Sequence, residues 1–324
     1  MSEPISKHPE HPGPDFVIVG PLRAGTTMFR LMLGSHPQIA DVGEFEESVA
    51  MLGDTGFPSP KHYREWLATH RVAQSRKYNL PDNLNDYQSI AYSMWSQLAQ
   101  RHTGAKVIGC TIHSRIDRIL DLWPNTKLIC LVRDPRDVCR SCVGMGWYGH
   151  PALAYPEWLD PIHRWESAKE RIPDDCRTIV RYEDLLRNPQ LELSKCAELL
   201  GLDYSPAMLS FHESSSYDMV NPKLAEQWKR KMPPRCAELI DWRCAQAMAN
   251  YGYQRSSMSP RPPTTFERFS LRLRNKTKRI KWRMNQYGPY LVAAWSIAKH
   301  LPPSNRIHLQ IKSKLNQIDN SRLK

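Results

Sequence analysis

The sequence has no long hydrophobic run. Its most apolar stretch, Tyr290 to Ala298, falls far short of the roughly 20 residues that span a bilayer. The first fifteen residues are polar and rich in Pro and His and lack an apolar core, so no secretory leader is expected. Metal-ligand spacing is also lacking. Cys139-x-x-Cys142 is a lone pair inside a predicted helix with no second pair at zinc spacing, so no metal is expected. Eight cysteines spread over 324 residues do not form a disulfide scaffold and suit reduced thiols in a cytoplasm. There is no internal repeat and no low-complexity tract.

Acidic residues are nearly missing from the C-terminal part. Residues 255–324 hold 16 Lys and Arg against two acids, Glu267 and Asp319, while residues 1–254 hold 29 basic and 31 acidic side chains. Nearly the whole net charge of +12 therefore belongs to the tail, which concerns partners and not fold. Three regions follow: a disordered N-terminus over 1–14, a near-neutral domain over 15–254 and a basic tail over 255–324.

What is present is a βα alternation. Short aliphatic or β-branched runs at Phe16 to Val19, Lys106 to Gly109, Lys127 to Val132 and Thr178 to Val180 read as buried strands, with helix-like segments between them. This pattern predicts an α/β fold, a parallel sheet flanked by helices, whose ligands bind at the carboxyl edge. Aromatic residues between Phe57 and Gly104 and from Met145 to Trp165 serve either as walls of a ligand site or as core, and core is the commoner use.

After the first strand comes Gly20-Pro21-Leu22-Arg23-Ala24-Gly25-Thr26-Thr27, then a helix from Met28 to Leu33. Strand, glycine turn and helix N-terminus form a cradle for an anion. The frame fits a phosphate loop except that Thr26 stands where the phosphate-binding lysine belongs. A kinase or triphosphatase needs that lysine, so the expected anion has no γ-phosphate. The third strand runs into Arg133-Asp134-Pro135-Arg136-Asp137, with Ser141 two turns along the new helix. Asp134 suits the N-cap and Pro135 the first helical position. Arg133 is left at the sheet edge, and a guanidinium with a hydroxyl suits a phosphate monoester.

Together, Pro21-x-Arg23-x-Gly25-Thr26-Thr27 resembles the 5′-phosphosulfate loop of sulfotransferases that use PAPS (3′-phosphoadenosine 5′-phosphosulfate), and Arg133 to Asp137 with Ser141 resembles their 3′-phosphate motif. Val180 to Leu185, Asn188-Pro189 and Leu199 to Leu202 are similar to a late strand and helix of that family, and the likeness covers roughly residues 15–253. The Gly-Glu segment after a Ser-His-Pro helix end looks closest to the bacterial and tyrosylprotein-sulfotransferase-like branch. The resemblance implies a P-loop-type sulfotransferase fold and transfer of sulfuryl from PAPS to an acceptor hydroxyl on a carbohydrate, glycolipid, small molecule or tyrosine. It implies that Arg23, Ala24, Gly25, Thr26 and Thr27 hold the 5′ side and that Arg133 and Ser141 hold the 3′-phosphate, with Tyr182 beside the nucleotide.

For the base, the resemblance points to Glu44 in the Gly-Glu segment, with Glu46 an alternative, and to His113, which is placed like the catalytic histidine of cytosolic members. Bacterial relatives carry a lysine where this chain has Cys110-Thr111-Ile112-His113. Either His113 takes its place, or the chain is a catalytically altered adaptor that keeps nucleotide binding; a P-loop kinase is disfavoured by Thr26.

In the tail, Phe266, Phe269, Leu273, Ile280, Met284 and Tyr287 fall at helical spacings between a cap at Thr264 or Thr265 and a stop at Gly288-Pro289. Basic residues occupy the other faces. Such a helix either lies on an anionic membrane at the inner face or packs its stripe on the body. Nucleic acid is not expected, because no binding module accompanies the charge. The oligomeric state is not encoded in any pattern.

Overall fold

The structure, a computed structural model, describes residues 13–302 and 305–320. The N-terminal segment expected to be disordered therefore lies almost wholly outside the described residues. The chain forms two compact units: Met1–Arg133 with Asp160–Ala225, and Asp134–Leu159 with Glu226–Lys324. The composition break near residue 254 thus falls inside the second unit.

The first unit holds five strands: β1 (Phe16–Val19), β2 (Ile39–Glu44), β3 (Val107–Ile112), β4 (Lys127–Val132) and β5 (Arg177–Arg181). All neighbours are parallel, in the order β2-β3-β1-β4-β5. The chain starts in the middle of the sheet, builds to one side through β2 and β3, and then crosses to β4 and β5. The direction of growth reverses at β1, which makes its carboxyl end the crevice of an open α/β sheet.

Strands β1 and β3 are buried along their whole length, and burial on both faces is what selects continuous aliphatic runs. Helix α1 (Thr26–Gly34) follows β1, and Phe29, Met32 and Leu33 pack with Phe16, Ile18 and Ile129. Helices α2 (Pro60–Leu67), α3 (Arg71–Arg76) and α4 (Tyr87–Ala99) form the insertion before β3. Three of its aromatics are core: the rings of Tyr63 and Tyr87 stack at 4.0 Å, and Trp95 is buried beside Phe45. The Tyr63 and Tyr87 hydroxyls donate to the carbonyls of Glu47 (2.6 Å) and Ser48 (2.7 Å). The insertion thereby braces the segment that follows β2. A short helix, α5 (Ile119–Leu122), precedes β4.

Two expectations are corrected. The strand β2 carries Asp41 and Gly43, residue types depleted in strands, and so gave no aliphatic signal. Its pairing with β3 shifts between Asp41 and Glu44, where Gly43 has φ +84°. The strand expected to end at Gly109 runs on to Ile112, which brings His113 directly to the sheet edge.

In the second unit, α6 (Pro135–Gly144) starts as expected: the Asp134 carboxylate accepts from the Arg136 amide (2.9 Å). The same carboxylate binds the Arg136 side chain, which also meets Asp241 at 3.3 Å and lies 3.6 Å over the Trp228 ring. The helix α7 (Pro156–Lys169) carries the chain from this unit back into the first, where α8 (Tyr182–Arg187) and α9 (Pro189–Leu199) follow β5. The rest of the second unit is α10 (Trp228–Lys231), α11 (Pro234–Asn250), α12 (Thr265–Tyr287), α13 (Pro289–Ala298) and α14 (Arg306–Asn320). A capping box of Thr264 and Glu267 opens α12, and Gly288 ends it. No helix among the described residues is long and apolar enough to cross a membrane.

Candidate functional site

Because the strands are parallel, the residue that follows each of them arrives at the same edge. In sheet order these are Glu44 at the end of β2, His113 after β3, the Gly20 loop after β1, Arg133 after β4 and Tyr182 after β5. Residues drawn from five separate stretches of sequence line one edge of the first unit.

The loop is shaped by two glycines. Gly20 has φ +139°, and a Cβ there would lie 2.2 Å from the Leu131 carbonyl oxygen, so only glycine lets β1 leave the sheet so close to β4. Gly25 is left-handed (φ +104°) and is the N-cap of α1. Having no side chain, it caps none of the first amides, and the first turn of α1 has no acidic residue. These N–H groups and the dipole's positive end are left for an anion. Thr26 is buried and Thr27 half-buried beside them; Ala24 is buried, its amide donating to the Pro21 carbonyl (3.2 Å). Arg23 is exposed with φ +67°.

Arg133 joins this loop to β5. Its guanidinium donates to the Arg23 carbonyl (3.4 Å) and to the Leu224 carbonyl (3.3 Å), and it lies 4.2 Å from the centroid of the Tyr182 ring. That ring in turn covers Gly25, where a Cβ would come within 2.4 Å of its Cε2. The expected loop, arginine and tyrosine are brought together. Ser141 lies on α6, in the second unit.

On the other side of the loop stands His113, which is buried. Its Nδ1 is 2.8 Å from the Gly20 carbonyl oxygen. A carbonyl only accepts, so Nδ1 carries the proton and the neutral ring keeps its lone pair on Nε2. Nε2 has no partner among the described residues. Glu46 builds the turn beneath it: its carboxylate accepts from the His113 and Ser114 amides and from the Ser114 hydroxyl (2.5 Å). Burial raises the Glu46 pKa, against the opposing hydrogen bonds from the Ser114 hydroxyl and the His113 and Ser114 amides. The Glu46 carboxylate is thus taken up by backbone donors, whereas the Glu44 side chain is exposed.

Two residues that sequence reasoning missed, Arg76 and Tyr78, brace the segment from Val42 to Glu47. Arg76 donates to the carbonyls of Val42 (3.1 Å) and Glu44 (2.7 Å) and to the Glu47 carboxylate (2.9 Å). Tyr78 donates to the same carboxylate at 2.7 Å. Each lies about thirty residues along the chain from its partner, so no local pattern could reveal the pairing. Nearby, Asp41 is buried and 3.3 Å from Arg30, and burial pushes its pKa up to about 6.

A parallel sheet whose first strand turns through glycines into a helix without a side-chain cap, with a guanidinium at the end of the neighbouring strand β4 and no phosphate lysine, defines an α/β protein with its polar residues gathered at one sheet edge. The comparisons place it: residues 14–206, more than half of the chain, match the sulfotransferase family, and the chain belongs to that family. It is 25% identical over 199 residues to a Caenorhabditis briggsae protein named as a protein-tyrosine sulfotransferase, covering 59% of this chain and 66% of that protein. It is 24% identical over 224 residues to the omega-hydroxy-beta-dihydromenaquinone-9 sulfotransferase Stf3 of Mycobacterium tuberculosis, covering 63% of this chain and 54% of that protein. The matched region is thus less than two thirds of the length of these relatives. Among solved structures, the sulfotransferase domain of the Synechococcus PCC 7002 olefin synthase has a TM-score of 0.55 at 22% identity, covering 76% of this chain and 97% of that domain. The sulfotransferase domain from the curacin biosynthetic pathway gives 0.55 at 17% identity, with 72% and 98% covered. The fold is the sulfotransferase fold.

Proposed function

We propose that the chain transfers the sulfuryl group of PAPS to an acceptor hydroxyl and releases adenosine 3′,5′-bisphosphate. The observation that carries this reading is the continuous contact from Gly25 through Tyr182 to Arg133, which ties a lysine-free anion cradle to a second cationic position on one rigid edge. In the proposed reaction the acceptor oxygen forms a bond to sulfur while the bond from sulfur to the bridging phosphate oxygen breaks, and the acceptor's proton passes to a base. The α1 amides with Thr26 and Thr27 stabilise charge on the transferred group and the leaving phosphate as fixed dipoles. Arg23 reinforces the 5′ side, and Arg133 takes the 3′-phosphate beside Tyr182; Ser141 remains assigned to that phosphate by the resemblance.

For the base, His113 is favoured by its free Nε2 lone pair. Glu44 is favoured by an exposed side chain on a backbone that Arg76 anchors. The catalytically altered alternative rests on the missing lysine, since Cys110, Thr111 and Ile112 are buried inside β3. A reducing compartment such as the cytoplasm suits the eight cysteines, seven of which are buried.

The test is to incubate purified protein with ³⁵S-labelled PAPS and a cell extract and to identify the labelled product. Label transfer that disappears in the His113→Ala or Glu44→Ala variant supports the reading. No transfer, with donor binding intact, supports the adaptor; Mg²⁺-dependent ATP hydrolysis supports a kinase.

A further inference from the structure

The two faces of α12 are treated differently by the fold. Asn275 accepts from the Gly149 amide at 2.7 Å, and the Trp282 ring lies where a Cβ on Gly146 would come within 2.1 Å of it. That face is packed on its own unit. Phe266, Phe269, Leu273, Ile280 and Met284 are instead 79%, 66%, 52%, 41% and 44% exposed. At 3.6 residues per turn these five fall within an arc of about 60°, roughly 160° around the helix from Asn275 and Trp282. Five of the six stripe residues noted in the sequence therefore point away from this packed face, while the sixth, Tyr287, is half-buried and donates to Asp319 at 2.9 Å. The polar and indole side chains opposite the stripe make the contact.

The borders of this stripe are cationic on both sides. Arg272, Lys276 and Arg283 line one edge and Arg274 and Lys281 the other, all exposed. The one acid of α12, Glu267, is held by Arg235 at 2.9 Å. Large exposed side chains in one contiguous stripe mark an interaction surface. A second copy of the chain would bring these cations against their own kind. Nucleic acid would use the cations and leave two phenylalanines and a leucine in water. An anionic bilayer satisfies both, with headgroups meeting the flanking cations and the apolar stripe reaching the acyl boundary.

We propose that α12 is an interfacial helix that docks the protein flat on an anionic lipid surface. The test is flotation of the full chain with phosphatidylglycerol–phosphatidylcholine vesicles at low salt. Binding is expected, and at least tenfold weaker binding to phosphatidylcholine alone. The Phe269→Glu, Leu273→Glu double variant should bind the anionic vesicles at least tenfold less. The Arg272→Gln, Lys276→Gln, Arg283→Gln triple variant should lose about a hundredfold, since each cation near such a surface is worth about a factor of five. All five positions are exposed, so unchanged circular dichroism and melting temperature will show that the fold is intact. Absence of binding by the wild-type chain, or equal binding by the double variant, overturns the proposal. So does a dimer that the double variant dissolves, or duplex DNA that binds the triple variant poorly while vesicles do not bind the wild type. None of these readouts depends on PAPS, so the lipid surface and the transfer reaction stand or fall separately.

Discussion

The guanidinium of Arg133 lies 4.2 Å from the centre of the Tyr182 ring, and the same ring closes over Gly25. Two motifs about 110 residues apart are thereby joined through a third, at the start of α8. A Cβ at Gly25 would meet Tyr182 Cε2 at 2.4 Å and would sit on a backbone with φ +104°. Gly25→Ala is expected to cost about 1–3 kcal/mol in urea unfolding and to weaken adenosine 3′,5′-bisphosphate binding at least tenfold. Wild-type affinity in that variant would show that the loop does not hold the anion.

Tyr182 positions Arg133 by its ring face, so Tyr182→Phe should keep most of the bisphosphate affinity. Tyr182→Ala removes a contact worth about 0.5–2 kcal/mol and should raise the dissociation constant about tenfold. Equal losses in the two variants would assign the effect to the hydroxyl instead.

His113 holds its proton on Nδ1 through the Gly20 carbonyl, leaving Nε2 to accept one. As the base, its loss in His113→Ala should lower kcat by about 10²–10⁴-fold with bisphosphate affinity unchanged. Glu44→Gln is the companion measurement. The variant with the larger fall in kcat identifies the base, and a fall in neither excludes both.

How much of this was legible in the sequence varies by element. The strands β1 and β4 and the Gly20 to Thr27 loop could be read because buried aliphatic runs and glycine turns are local signals. The Asp134 cap, Pro135 and a cap at Thr264 or Thr265 could be read for the same reason, and the structure uses Thr264. β2 could not, because Asp41 and Gly43 occupy a strand stabilised by its neighbours and by Arg76 from the insertion. Glu46 read as an alternative base, and that its carboxylate caps the turn of His113, 67 residues away, was not legible. The stripe of α12 was plain, but which face packs depended on Gly146 and Gly149, far off in sequence.

Asp41 gives a pH signature. Burial, the largest cause, raises its pKa from 3.8 to about 6. The folded protein then binds this proton more tightly than the unfolded chain, so the contribution is favourable at low pH and is lost as pH rises from about 4 to about 6. Asp41→Asn removes the titration. The variant's unfolding free energy relative to wild type should increase by about 2 kcal/mol between pH 4 and pH 7, read from urea unfolding at each pH. A flat difference would mean that Asp41 is ionised at its ordinary pKa.

The most direct test is titration calorimetry with adenosine 3′,5′-bisphosphate on the wild-type chain and on Arg133→Ala. Saturable binding by the wild type is predicted, weakened about tenfold or more by loss of a charge-assisted hydrogen bond to phosphate. No binding by the wild type, or equal affinity in the two proteins, would contradict the account.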